Sequence, residues 1–323
     1  MRKIVCHQFG PPASLLLDDV EAPVPGPGDV VLDVHAAGVN YVDALLVSGR
    51  YQLKPPLPFT PGSDVAGSVA AVGEGVDGWA VGDHAVAMAG LGGFAERLVL
   101  PASMLFRVPS NLDLARAAAC IQSYATMLFA YTRRTTLERG QTVLVLGAGG
   151  GVGLAAIDLA VALGARVIAA ASSDAKLAAA RAAGASAAIA YESEDLKAQA
   201  RTLSGGGVDV VVDPVGGRHA APALRSLAAG GRYLVIGFAG GDIPSLPLNQ
   251  VLLSNRSVIG VDWGAWSFRE PLANRALIRE VFELIAAGRL QPPVPATHPL
   301  AEAGRVLTDM LERRVTGKAI LLP

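Results

Sequence analysis

The run TVLVLGAGGGVG, Thr142–Gly153, decides how this chain folds. A short apolar stretch gives way to a glycine-rich turn, and LAAIDLAVALG then continues to Gly164 with the spacing of a helix. Strand, turn and helix in this order are what a dinucleotide pyrophosphate requires. Glycine removes the side chains that would hold the backbone away from the phosphates. The helix start then presents free N–H groups and the positive end of its dipole. Glycines at this spacing are a weak signal alone, since the chain holds 37 of them; the flanking strand and helix strengthen it. Gly150, Gly151 and Gly153, with Val152 between the last two, are read as the turn, and Gly147 and Gly149 as lesser contributors.

The surrounding composition bounds what this turn belongs to. At 323 residues the chain exceeds one ordinary core, so two domains are expected. A formal net charge of −1 argues against a nucleic-acid or polyanion binder. Mean hydropathy is high, +0.41, yet no uncharged apolar run reaches the roughly 18 residues of a membrane span. Alanine and valine spread along the chain fit a large buried parallel sheet instead. The N-terminal MRKIVCHQFG lacks the apolar segment of a signal peptide. Cys6 and Cys120, the two cysteines, make neither a disulfide framework nor a four-cysteine zinc lobe. A reducing cytoplasm is the expected compartment.

Residues 1 to 110 predict short strands broken by Gly and Pro: Lys3–His7, Val30–Ala36, Val65–Val72, His84–Met88 and Ala95–Leu100, with one helix at Tyr41–Ser48. After Leu112 apolar runs alternate with helical patterns. The strands expected there are Val143–Leu146, Val167–Ala171, Ala187–Ala190, Val208–Val212, Tyr233–Ile236 and Val258–Val261. Between them lie expected helices at Gly151–Leu163, Asp174–Ala183 (Asp174 as its cap), Glu194–Leu203 and Ala220–Ala228. Six strands with crossover helices imply a doubly wound α/β parallel sheet. A helix at Arg275–Ala287, the Pro-rich linker QPPVPATHP, a helix at Ala301–Arg313 and a strand at Lys318–Leu322 complete the chain. The last strand is expected to return to the first domain, making the nucleotide domain an insertion with the active site in the cleft between the two. The expected divisions are 1–122, 123–267 and 268–323.

Several segments carry a resemblance: AAGVNYVDALLVSGRY (Ala36–Tyr51), PPLPFTPGSDVAGSV (Pro55–Val69), VLVLGAGGGVGLAAIDLA (Val143–Ala160), DPVGG (Asp213–Gly217), GFAGG (Gly237–Gly241) and TGKAILLP (Thr316–Pro323). In these the chain resembles the medium-chain dehydrogenase/reductase superfamily, in its zinc-free quinone-oxidoreductase, zeta-crystallin-like branch. GRYQLKPPLPFTPG with GFAGG is most similar to the subgroup called quinone oxidoreductase-like protein 2. The resemblance covers the whole chain. It implies a Rossmann-type six-stranded sheet inserted into a β-rich GroES-like catalytic domain.

Zinc-dependent members of that superfamily carry a Cys where this chain has Asn40 and a His-Glu pair where it has Ser63-Asp64; the third ligand position falls near Gln122. Cys120 alone is not a catalytic zinc site, which needs three protein ligands. No metal is expected. Without a Lewis acid, developing negative charge must be met by hydrogen bonds. This favours reduction of an already electrophilic quinone or enone over oxidation of an alcohol.

An NAD-binding second strand usually ends in an acid that bonds the ribose 2′-hydroxyl. Here it ends AAASSDAK, with Ser172 and Ser173 leaving room for a phosphate and Lys176 in reach of it. The resemblance adds Tyr191 and Arg314 as phosphate or adenosine contacts. NADPH is therefore the expected cofactor.

The resemblance also implies the nicotinamide end. Asn40 and Thr126 are expected near the nicotinamide as both cofactor-binding and catalytic residues, and Tyr51 as a catalytic residue that orients the acceptor or donates a proton. Backbone groups of Gly237 and Phe238 are expected at the nicotinamide ring. Relatives carry tyrosine and arginine at the positions of Leu45 and Val47, so a mechanism needing that pair does not transfer. Asp43 is expected in an ion pair or helix cap. Trp263 and Trp266 are expected either at the cleft mouth or in packing. These features predict an NADPH-dependent, zinc-independent reductase of quinones or related conjugated carbonyls. An enone or alkenal double-bond reductase, and a non-catalytic NADPH-binding structural protein, are the competing expectations. A homodimer is expected through the free edge of the strand near Val258–Val261; no nucleic-acid or membrane partner is expected.

Overall fold

A computed structural model describes all residues, Met1–Pro323. The chain divides into two units, Met1–Gln122 with Val294–Pro323, and Ser123–Pro293.

The first unit is built on a seven-stranded sheet. Its order is Ala296–Pro299, Ala319–Leu322, Asp29–Val39, Asp64–Val72, His84–Met88 and Leu105–Arg107, with Arg97–Pro101 also paired to Asp29–Val39. Asp29–Val39 is the long central strand because its sequence, DVVLDVHAAGV, is buried almost throughout. Val30, Leu32, Val34, Val65, Val69, Phe94 and Leu105 form the core beneath it. The C-terminal strand does return here, lying antiparallel to Asp29–Val39. Three strands escape sequence reading, among them the three-residue Leu105–Arg107. Leu16–Asp19 is a short, mostly exposed strand. Ala296–Pro299 lies inside the segment expected as a linker, where its prolines confine it to a sheet edge.

The second unit holds a six-stranded parallel sheet in the order Ala187–Ala190, Arg166–Ala171, Thr142–Leu146, Val208–Asp213, Leu227–Val235, Ser257–Gly260. Chain order reverses between Thr142–Leu146 and Val208–Asp213, the topological switch point where doubly wound sheets bind their ligands. The helix Gly151–Ala162 follows the glycine turn. It is rich in alanine, and its residues from Gly153 to Ala160 are almost all buried.

Several details differ from expectation, among them the unexpected short helices Leu248–Leu252 and Trp263–Arg269 and a strand that begins at Leu227 rather than Tyr233. The helix Leu114–Phe129 lies outside the sequence expectations although its apolar residues recur with helical spacing; it spans the boundary between the two units. The cap of the helix Asp174–Ala182 is Ser173, whose side chain accepts from Lys176 N, and Asp174 is the first helical residue. The second division falls after Pro293 rather than after residue 267. The helix Pro271–Ala286 buries Leu277, Ile278, Val281, Phe282 and Ile285. Nearby bonds tie it to the nucleotide unit: Arg133 to Glu280 at 2.8 Å, Arg289 to the Ala162 carbonyl at 3.1 Å, and Gln291 N to Asp158 at 2.8 Å.

Candidate active site

The carboxyl ends of the middle strands bring four sequence segments to one end of the parallel sheet: the glycine turn after Leu146, Ser172-Ser173 after Ala171, DPVGG from Asp213, and GFAGG after Val235. The glycines divide by job. Gly147 has φ +58°, a left-handed conformation that side chains disfavour. A Cβ on Gly153 would sit 2.3 Å from the Gly147 carbonyl oxygen, and one on Gly149 would sit 2.4 Å from Lys176 Cβ. Gly147 and Gly149 are thus as demanding as Gly153. Gly150, the cap of the helix that begins at Gly151-Val152, has nothing closer to such a Cβ than 3.5 Å. The crowding at Gly149 is caused by Lys176, so the lysine stem lies against the turn and its Nζ reaches Ser172 Oγ at 3.5 Å. An open cradle of backbone N–H groups beside Ser172, Ser173 and Lys176 fits a dinucleotide with an extra phosphate.

Tyr191 follows the edge strand Ala187–Ala190 and packs its ring on His219, with centroids 4.2 Å apart. Both line an open pocket of about 610 Å³ together with Arg218 and Arg225. Gly237 is half-buried and Phe238 exposed. Thr126 lies half-buried on the helix Leu114–Phe129. Trp263 is buried and donates to Asn274 Oδ1 at 3.0 Å, and Trp266 packs on Phe129 with ring centroids 4.7 Å apart. Both tryptophans are packing residues.

The first unit holds the remaining candidates. Arg314 is not an isolated cation, since Asp309 and Glu312 hold its guanidinium. Tyr51 is exposed in the loop after the helix Tyr41–Val47. Asn40 caps that helix and is buried inside a charged cluster. Its Nδ2 donates to Asp64 Oδ2 at 2.9 Å, its backbone N donates to Asp43 Oδ2 at 2.8 Å, and its Oδ1 accepts from Lys318 Nζ at 2.5 Å. Lys318 Nζ also donates to the Val39 carbonyl at 3.0 Å. Asp43 and Asp64 are fully buried, and Oδ1 of each lacks a well-formed hydrogen bond. Burial pushes the Asp43 carboxyl up to about 7, opposed by the Asn40 N–H. Burial also raises Asp64, against the pull of Lys318, and lowers Lys318 itself. Cys120 is a core thiol, pushed up to about 12 by burial and by the charge of Asp64. Sequence reading missed Lys318. The available signal was a lysine abutting the apolar run AILL, with Asp43 and Asp64 on equally apolar segments.

A Rossmann-type sheet with its cofactor turns at the switch point, in a chain that also carries a β-rich unit, defines a pyridine-nucleotide oxidoreductase. Residues 26–110 match the family "Alcohol dehydrogenase GroES-like domain" and residues 151–283 the family "Zinc-binding dehydrogenase". The chain is 38% identical to quinone oxidoreductase-like protein 2 of Bos taurus, over 99% of this chain and 92% of that protein. It superposes on a probable oxidoreductase from Mycobacterium abscessus with TM-score 0.89 and 40% identity, covering 100% and 99% of the two chains. The Escherichia coli quinone oxidoreductase complexed with NADPH gives TM-score 0.90 at 28% identity, with full coverage of both. The chain belongs to the medium-chain dehydrogenase/reductase superfamily, in its quinone oxidoreductase branch, and is an NADPH-dependent oxidoreductase. No helix is long and apolar enough to cross a membrane.

Proposed function

We propose that this protein reduces quinones or related conjugated carbonyls with NADPH and without zinc. The observation that carries this is the Asn40–Lys318 contact. A lysine ammonium sits on the residue that replaces a zinc-ligating cysteine, and Ser63 and Asp64 replace the next pair. An ammonium at that point repels a dication, and an amide, a hydroxyl and one acid do not make a tight zinc donor set. These residues do not fit a catalytic zinc ion.

Bound NADPH supplies a hydride from its nicotinamide. The chain binds and orients: the Gly147–Gly153 turn takes the pyrophosphate, Ser172, Ser173 and Lys176 the 2′-phosphate, and Tyr191 the adenosine end. Gly237 and Phe238 would hold the carboxamide, and Thr126 is assigned to the same nicotinamide end. Asn40 has its amide oxygen fixed by Lys318, and one N–H remains beyond the bond to Asp64. That N–H is assigned to the ribose or the acceptor oxygen. Tyr51 is assigned to orient the acceptor and donate its proton.

A second copy is assigned to the edge of the parallel sheet. Ser257–Gly260 is paired on one side only, and Leu248, Leu252, Leu253, Phe268 and Leu272 are each more than 70% exposed in the segments flanking it. Unpaired strand edges and exposed apolar side chains together mark an interface.

The test follows NADPH oxidation with a quinone panel, in the presence of a zinc chelator. Turnover that survives chelation and yields hydroquinone is the expected result. No turnover with any quinone, together with activity that appears only on zinc addition, overturns the proposal. An enone panel run alongside gives a saturated ketone only if the acceptor class is the double bond.

A further inference from the structure

Asp213 ends the strand Val208–Asp213 and is buried. Its Oδ1 accepts from Val215 N at 2.7 Å and Gly216 N at 2.8 Å. Its Oδ2 accepts from the hydroxyl of Tyr233, two residues before the end of the neighbouring strand. Its backbone carbonyl accepts from Ile236 N at 2.9 Å and Gly237 N at 3.3 Å. One residue therefore fixes the DPVGG turn through its side chain and the start of the GFAGG turn through its main chain.

The DPVGG turn is wedged between the two cofactor loops. A Cβ on Gly147 would meet Val215 Cγ2 at 2.8 Å, and one on Gly240 would meet the Val215 carbonyl oxygen at 2.5 Å. Ala239 N and Gly240 N donate to the carbonyls of Pro214 and Val215 at 3.0 and 2.7 Å. A shift of Val215 would move both the pyrophosphate turn and the loop carrying Phe238. We propose that Asp213, held by Tyr233, is the positioning residue that sets the nicotinamide-holding loop relative to the pyrophosphate turn. This rests on the assignment of Gly237 and Phe238 to the nicotinamide.

The phenol is suited to that task. Burial and the adjacent Asp213 push its pKa far above the ordinary tyrosine value, so it stays a donor at every working pH. In Asp213→Asn the amide oxygen can still serve the two turn N–H groups. Its NH2 then faces Tyr233, whose own hydrogen loses its acceptor.

The experiment measures steady-state kinetics of Tyr233→Phe, Asp213→Asn and the double variant, with NADPH and with NADPH deuterated at C4. KM for NADPH should change less than about twofold, because the phosphate contacts are untouched. The turnover number should fall on the order of ten- to a hundredfold, the scale of misplaced reacting atoms. The isotope effect should rise, and the double variant should be no worse than the worse single one. Unchanged kcat with a lowered melting temperature, or a raised KM with unchanged kcat, overturns the inference. Either single variant suffices if the other fails to fold. Gly237→Ala separates the two levels, since its Cβ would meet nothing closer than Pro214 O at 3.6 Å. If it lowers kcat while the Asp213 and Tyr233 variants do not, only the positioning role falls. If it too leaves kcat unchanged, the nicotinamide assignment falls with it.

Discussion

Two buried acidic sites, one in each unit, solve the same problem differently. In the nucleotide unit, Asp213 has a hydrogen-bond donor on each side-chain oxygen, all of them neutral. In the β-rich unit, Asp43 and Asp64 lie in the field of one lysine, Lys318, whose Nζ bonds Asn40 Oδ1 and the Val39 carbonyl, and each acid keeps an oxygen without a well-formed partner. A carboxylate ringed by neutral donors anchors a turn without a charged partner. Two carboxylates against one cation carry a surplus negative charge that burial opposes, and such a site takes up protons. The first arrangement holds a turn; the second takes up a proton at Asp43.

The comparison breaks most readily at Lys318. Lys318→Met leaves two buried acids and the Asn40 carbonyl without their cation. Losing this donor from two buried carbonyl oxygens, together with its through-space attraction for both acids, costs on the order of 3 kcal/mol, and urea unfolding at pH 7.5 should read a loss of that size. Adding Asp64→Asn to the same chain should recover part of it, since the two substitutions act on one network. A loss below about 1 kcal/mol would mean that the lysine compensates little, and the contrast between the sites would collapse.

The titration provides the next test. Asp43 is raised from its ordinary value to about 7, so between pH 4 and 7 the folded chain holds a proton that the unfolded chain has lost. Stability contributed by that proton is full below the unfolded pKa and is lost as pH rises through the folded one, by at most about 1.4 kcal/mol per pH unit for one group. The groups that face Asp43 are Asp64, Lys318 and the backbone amides of Asn40 and Gly62. Asp43→Asn keeps the acceptor for Asn40 N and removes the charge. Its unfolding free energy should therefore vary less with pH across 4–7 than that of the wild type. Parallel curves for the two proteins would show that Asp43 does not titrate there.

The two sites also differ in how far sequence reveals them. The parallel sheet is legible because each strand is a short apolar run closed by glycine or a polar turn, as in Val143–Leu146 before Gly147 and Val167–Ala171 before Ser172. The cofactor segments become legible with it, since they follow those strand ends. Leu114–Phe129 keeps a helical spacing of apolar residues and is missed because it spans the boundary between the two units, outside the strand pattern of either. Ala296–Pro299 is opaque because proline disguises an edge strand. Neither polar cluster can be read from local pattern. Lys318 lies 278 positions from Asn40. Tyr233 meets Asp213 only because the strand register aligns Tyr233 with Val211. Sequence spacing carries the strands; only the register between strands brings such side chains together.

The smallest effect is expected where the comparison is sharpest, at Tyr233. Tyr233→Phe removes one hydroxyl and leaves Asp213 Oδ2 buried without its donor. A hydrogen bond to a charged group contributes about 1.5–3 kcal/mol. No cavity larger than the hydroxyl is made, and the ring keeps its place in the core with Leu144, Leu146 and Val211. Because the phenol is pushed well above its ordinary value, it is protonated at both pH 5 and pH 8, and the loss should be the same at both. Urea unfolding of wild type and variant at those two pH values measures it. Equal losses show a donor that does not change state, unlike the carboxyl of Asp43. A loss below about 0.5 kcal/mol at both would mean that the hydroxyl does not hold Asp213.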